Sequence, residues 1–332
     1  MKAVRIYSYG GPDVMRLEDI APLAPGLGEV LVRIHAASVN FLDVQHRRGE
    51  LVNHDFYKDQ GGLVTHLPFT IGSQGVGEIE EVGPDCPPHL KIGDRVMCFG
   101  GTGTYATHTV TSADRLMPIP NELNFDQAAA GLTQGFLAYA FTHKAYSVKQ
   151  GDWCLIQAAA GGLGLLLIQM VKLRGGRVIG VTSTEEKGKV ARHYGADEII
   201  ISSKSDIAKE ARRITAGRGV HVVYDGVGKD TFEANLDSLG LGGFLVIYGQ
   251  ASGFIPPIDL MTLQEKGSLF ITRTNGLPYR KDWPEFIQLL KIWLKEGKLV
   301  VPIDKKYPLE EAAQAHIRFE QRRSIDRLLL VP

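Results

Sequence analysis

The chain has 332 residues, of which 44% are hydrophobic, with 37 Lys+Arg against 37 Asp+Glu. That length and apolar fraction suit two globular domains and exclude a disordered chain. The zero net charge offers no basic surplus for nucleic acid or an anionic membrane, and no apolar run approaches the ~18 residues of a spanning helix. Met1 to Ile6 alternates as a strand does and lacks the apolar core of a signal peptide. Val30 to Ala36, Gly75 to Gly83 and Arg95 to Phe99 read as further strands. Short strands with Gly and Pro punctuation predict a closed or partly closed β fold over the first 120 residues. Three scattered cysteines, Cys86, Cys98 and Cys154, argue against a disulfide framework and point to a reducing, cytoplasmic setting.

The texture changes near residue 124. Asp126 to Tyr139 is Ala- and Leu-rich and helical, and strands then alternate with helices. The strands are Cys154 to Gln157, Arg177 to Val181, Glu198 to Ile201, His221 to Asp225, Phe244 to Tyr248 and Leu269 to Thr272. Helices over Leu165 to Arg174, Glu185 to Tyr194 and Ser205 to Thr215, and one through Asn235, fill the gaps. Apolar strands separated by helices predict a doubly wound parallel sheet. Trp283 to Lys295 is an amphipathic helix, and the tail from Val300 returns to strand texture, as if to rejoin the first domain.

The sharpest local signal is Ala158-Ala159-Ala160-Gly161-Gly162-Leu163-Gly164, which follows one strand and opens one helix. Glycines there let a pyrophosphate sit on the amides of a helix N-terminus. Ala158 replaces the first glycine of the usual pattern. An NAD site places a carboxylate at the end of the second strand. Here that end reads Val181-Thr182-Ser183-Thr184, with Lys187 beyond it. A missing carboxylate beside a cation suits the 2′-phosphate of NADPH. Glu185 and Glu186 speak the other way, or serve the helix dipole.

These residues carry a resemblance. Ala37 to Asp43, Pro68 to Gly72, Gly93 to Val96, Gly217 to Val220, Val223 to Thr231, Tyr248 to Gly253 and Lys266 to Leu269 resemble the quinone oxidoreductase, zeta-crystallin-like branch of the medium-chain dehydrogenase/reductases. The likeness runs from Met1 to Pro332. It implies an α/β protein: a GroES-like catalytic domain over 1–123 and 297–332 and a Rossmann NADPH-binding domain over 124–296, with the active-site cleft between them. Zinc-dependent members place Cys where this chain has Asn40 and His-Glu where it has Ser73-Gln74. Amides and hydroxyls are poor zinc ligands, so no metal is expected. Without a metal to polarise an alcohol, hydride delivery to an electrophilic acceptor is left, with donors stabilising the developing oxyanion.

The resemblance implies that Asn40 lies near nicotinamide and acceptor and that Gln45 stands where relatives often carry a pocket Tyr. Leu137 occupies a position that is often Thr. For the cofactor it nominates Ala160, Gly161, Gly162, Leu163, Gly164, Ser183, Lys187, Tyr248, Gly249, Thr272, Arg273 and Arg322. Ser203 and Lys204 stand in place of the last two residues of an Asn-Tyr-Arg pattern of relatives, whose Tyr approaches the 2′-phosphate, so Lys204 would compensate for the shorter Ser203. The expected activity is NADPH-dependent reduction of a quinone or an α,β-unsaturated carbonyl. The alternatives are an enone or 2-haloacrylate reductase and a non-catalytic, crystallin-like or nucleic-acid-binding role, the last disfavoured by the charge. A homodimer is expected, paired along the edge strand Ser268 to Thr272. The long polar stretch from Glu50 to Leu67 is either a surface excursion or a lid, with Phe56 or Tyr57 over the acceptor and Gly61-Gly62 as hinge.

Overall fold

The computed structural model describes residues 1–52, 66–321 and 327–332. Its contacts divide the chain into two units, one of Met1–Leu132 with Pro302–Pro332, the other of Thr133–Val301. In chain order the first stretch holds β1 (Lys2–Ile6), β2 (Arg16–Asp19), β3 (Glu29–Ser38), α1 (Phe41–Arg48), β4 (Phe69–Thr70), β5 (Gln74–Val82), β6 (Arg95–Phe99), β7 (His108–Ser112) and β8 (Leu116–Pro118). Helix α2 (Phe125–Tyr139) leads into β9 (Trp153–Ile156), α3 (Gly162–Leu173), β10 (Arg177–Thr182), α4 (Glu185–His193), β11 (Glu198–Ile201), α5 (Ile207–Ile214) and β12 (Val220–Asp225). There follow α6 (Phe232–Ser238), β13 (Leu239–Ile247), α7 (Leu260–Glu265), β14 (Phe270–Arg273), α8 (Trp283–Lys295), β15 (Ile303–Pro308), α9 (Ala312–Glu320) and β16 (Arg327–Val331).

In the first unit β3 is the central strand. It pairs antiparallel with β5, with β7 along its first half, and with β16 at its end. The burial pattern of β3 leaves only Arg33 exposed, so both of its faces are covered. One core lies around Val39, Ile71, Tyr105, Leu328 and Leu330, another around Val32, Ile34, Ile79 and Val96. The tail does rejoin this unit through β16. It is not continuous strand, however, because α9 separates β15 from β16. Helix α1 was not anticipated either. Its eight residues carry two arginines and a histidine, so no apolar period marks it. Asn40 and Asp43 start the helix and Gly49 ends it at φ +72°.

The second unit is a parallel sheet in the order β11-β10-β9-β12-β13-β14. Renumbered within the unit this is 3-2-1-4-5-6, the Rossmann order. Helix α3 buries every residue from Gly164 to Val171, as an apolar crossover helix on a parallel sheet must. Strand β14 closes one edge. Among the described residues no helix is long and apolar enough to cross a membrane.

Candidate functional site

In the second unit the turn between β9 and α3 has the shape that its glycines imply. Ala158 sits at φ +48°, a left-handed conformation that explains why glycine is usual there. Gly161 caps α3 with no side-chain bond, and the opening amides of a helix have no partner within it. A Cβ on Gly164 would stand 2.6 Å from Ala158 O and 2.7 Å from Ala159 O, so only glycine closes this turn. The result is a backbone cradle lined by amides, with Ala160 buried behind it.

Strand β10 ends beside this turn, and Ala159 N donates to Val181 O. Ser183 and Thr184 beyond it are exposed and no carboxylate stands among them. Thr184 Oγ1 accepts from Lys187 N at 3.3 Å, which places Lys187 in the first turn of α4. Ser203 gives its single hydroxyl hydrogen to Ser183 O at 2.9 Å. Lys204 pairs with Glu185 at 3.0 Å, and both are largely exposed. The strands on the other side of β9 approach closely. Gly249 would bring a Cβ within 2.6 Å of Gly226 O, and Tyr248 lies against Gly226 and stacks on Phe141 with centroids 5.4 Å apart. Arg273 Nη1 donates to Gly249 O at 3.4 Å, and Thr272 precedes it in β14, half-buried. The nominated residues on β10, β13 and β14 thus gather at the carboxyl ends of the strands, where open parallel sheets hold their ligands.

The first unit holds a buried polar cluster. Asn40 is half-buried at the head of α1, and its backbone N donates to Asp43 Oδ2 at 2.8 Å. Asp43 is fully buried and also accepts from Ser73 N at 2.7 Å and from Tyr105 Oη at 3.0 Å. Burial raises its pKa, while these donors oppose the rise. Gln74 Nε2 donates to Ala129 O at 3.1 Å. Arg327 Nη2 donates to Asn40 Oδ1 at 2.8 Å, and Asn40 Nδ2 donates to Ser38 O at 3.3 Å. Burial lowers the Arg327 pKa to about 10. Gln45 lies half-buried one turn into α1. Among the described residues no group of three or more His, Cys, Asp or Glu is placed to hold a metal ion.

Asp43, Tyr105, His316 and Arg327 were missed as site residues. The Asn40-x-x-Asp43 spacing of a capping box could have flagged Asp43; nothing local marks the others. Arg322, Phe56, Tyr57 and the Gly61-Gly62 hinge lie outside the described residues.

Tyr105 donates to Asp43, so the Tyr105 oxygen accepts from His316 Nε2 at 3.1 Å. His316 is fully buried, and burial together with the Arg47 charge holds its pKa at about 3, from an ordinary 6.5. It therefore stays neutral in the fold and takes up its proton on unfolding. Its contribution to stability is complete above pH 6.5 and drains away as the pH falls toward 3. Urea unfolding should show a loss of about 2 kcal/mol from this group between pH 7 and pH 5. His316→Gln should flatten that slope; parallel pH profiles for the two proteins would contradict it.

A Rossmann sheet joined in one chain to a largely antiparallel unit that hydrogen-bonds Asn40, Ser73 and Gln74 is the architecture of a medium-chain dehydrogenase/reductase. Comparisons agree. The alcohol dehydrogenase GroES-like domain matches residues 26–121 and the zinc-binding dehydrogenase domain matches 162–291. The chain is 36% identical to a quinone oxidoreductase of Pseudomonas aeruginosa over 100% of its own length and 99% of the relative's. It is 38% identical to a 2-haloacrylate reductase of a Burkholderia species, covering 99% and 98%. A solved Escherichia coli quinone oxidoreductase complexed with NADPH superposes with a TM-score of 0.90 at 32% identity, covering all of both chains. The chain belongs to the quinone oxidoreductase family of the medium-chain dehydrogenase/reductases.

Proposed function

We propose that this chain is an NADPH-dependent, metal-independent reductase that passes hydride to quinones or activated alkenes. The observation that carries the reading is the amide-lined cradle from Ala158 to Gly164 beside a strand end without a carboxylate. In this reading residues 124–296 form the NADPH-binding domain and 1–123 with 297–332 the catalytic domain. The amides of Gly162, Leu163 and Gly164 hold the pyrophosphate, while Gly161, whose N–H donates to Ala158 O at 2.9 Å, lets the backbone come close; Lys187 meets the 2′-phosphate, with Lys204 joining it on leaving Glu185. Tyr248, Gly249, Thr272 and Arg273 form the wall toward the nicotinamide. Bound NADPH supplies the hydride. Asn40 donates its amide hydrogen to the acceptor oxygen as negative charge grows there, and Gln45 lines the acceptor pocket. A guanidinium on Asn40 Oδ1 opposes a cation at that oxygen, which favours metal-free chemistry. The NADPH-bound Escherichia coli relative and the haloacrylate-reducing relative support both the cofactor and the acceptor class. The three unpaired cysteines suit a cytoplasmic enzyme.

The test is NADPH oxidation across quinones, enones and haloacrylates, with NADH in parallel and with a chelator added. Turnover that prefers NADPH and ignores the chelator is expected. No turnover with any acceptor, or loss on chelation, would overturn the reading. Lys187→Ala should weaken NADPH by about 1.5–3 kcal/mol, the scale of a charge-assisted contact, and leave NADH unchanged. Equal losses for both would make Lys187 structural.

We also infer a homodimer through the β14 edge. Phe270 is 54% exposed there and stacks on Phe244 at 4.6 Å, and Leu241 and Leu260 of the same unit are 92% and 74% exposed. An unpaired apolar edge strand is a template for a second copy. Sedimentation at micromolar concentration should give a dimer; a monomer would contradict the inference.

A further inference from the structure

We propose that Arg327 is a positioning residue that aims and polarises the Asn40 amide toward the acceptor. The proposal rests on the reductase reading above and names how one donor of that site is set. The ladder between β3 and β16 pairs Ser38 with Leu329 and Ala37 with Leu330. Continuing that register by two residues sets Arg327 directly opposite Asn40, where side chains on one face meet. The contact is 2.8 Å, from Nη2 to Oδ1.

A guanidinium only donates, so the atom facing it must be the amide oxygen. This contact therefore fixes which way the Asn40 amide is turned, and Nδ2 points away. Among the described residues Nδ2 has Ser38 O at 3.3 Å as its recorded acceptor, which occupies one of its two hydrogens. The second hydrogen is left for the acceptor oxygen. A cationic donor on the carbonyl end also draws density from the amide nitrogen, and its N–H bonds become stronger donors. The charge acts with little screening, because Arg327 is 7% exposed. Its Nε is buried with no hydrogen-bond partner among the described residues, so Asn40 Oδ1 is a principal partner of this cation. Asp43 lies near enough to favour the charged form, and the same Asp43 ties down the Asn40 backbone. One cluster thus fixes both the main chain and the side chain of Asn40.

The test is a double-mutant cycle of Asn40→Ala and Arg327→Met in acceptor reduction. NADPH affinity is followed by fluorescence, and the Asn40 side-chain amide by NMR with ¹⁵N-asparagine. Arg327→Met should lower kcat about tenfold, with the acceptor KM and the NADPH Kd held within about threefold. The double variant should lose no more than Asn40→Ala alone, because a residue acting through Asn40 has nothing left to act on. Arg327→Lys, which keeps the charge but not the planar fork, should recover part of kcat. The Asn40 amide resonances should shift in Arg327→Met. Losses that multiply, wild-type kcat in Arg327→Met, or unmoved resonances would overturn the proposal. If Arg327→Met does not fold, the cycle with Arg327→Lys decides it: a smaller loss of kcat that vanishes in the Asn40→Ala background supports the proposal, and an undiminished kcat or a loss that persists in that background overturns it. A wild-type enzyme that reduces no acceptor would sink the reductase reading instead, while the resonance shift would still report on the Arg327 contact.

Discussion

Gly164→Ala should weaken NADPH binding at least a hundredfold. The added Cβ would lie 2.6 Å from Ala158 O, 2.7 Å from Ala159 O and 2.9 Å from Ala159 C. All three are backbone atoms, so no rotamer change relieves the clash and the turn must open. Overpacking of this kind costs about 1–3 kcal/mol in stability. The larger effect is on the ligand. Charge-assisted bonds to the helix amides are worth roughly 1.5–3 kcal/mol each, and displacing two of them should weaken NADPH at least a hundredfold. Calorimetric titration with NADPH reads this directly. Gly161→Ala is the natural comparison, since its Cβ would meet only Ala158 O, at 3.2 Å, and should cost far less. If Gly164→Ala binds NADPH as the wild type does, the cradle is not the pyrophosphate site.

Asp43→Ala should destabilise the protein by about 3–5 kcal/mol, the usual cost of stripping one partner from a buried ionic cluster. Three donors lose their acceptor at once: Asn40 N, Ser73 N and Tyr105 Oη. Each buried orphan costs about 1–3 kcal/mol. The loss also leaves Arg327 buried with one fewer opposing charge. Asp43→Asn is the sharper probe, because it keeps the shape but turns an N–H₂ toward one of the donors. It should fall between wild type and alanine in urea unfolding and should lower acceptor turnover, since Asn40 is no longer anchored. Wild-type stability in both variants would show that the cluster is ornamental.

The sheet of the second unit was legible because its information is local. Each buried strand is a short apolar run, each crossover helix has its own period, and sequential strands of this kind wind into few topologies. Helix α1 was not legible for the opposite reason. Its Arg47 and His46 read as surface charges, yet both are buried, and Arg47 pairs with Glu320 from the far end of the chain. Helix α9 hid in the same way, with His316 as a buried polar residue in place of an apolar marker.

The site divides along the same line. Residues Ala158 to Gly164 determine their own turn, since backbone clash and a left-handed φ are decided within seven neighbours. Asn40, Ser73 and Gln74 declare by side-chain type alone that they are poor zinc ligands. What holds Asn40 could not be read there. Arg327 is 287 residues away, and its charge looks like any strand-end cation until β16 pairs with β3. Chain proximity encodes turns and caps; the meeting of an amide with a buried guanidinium depends on strand register, which only the assembled sheet decides.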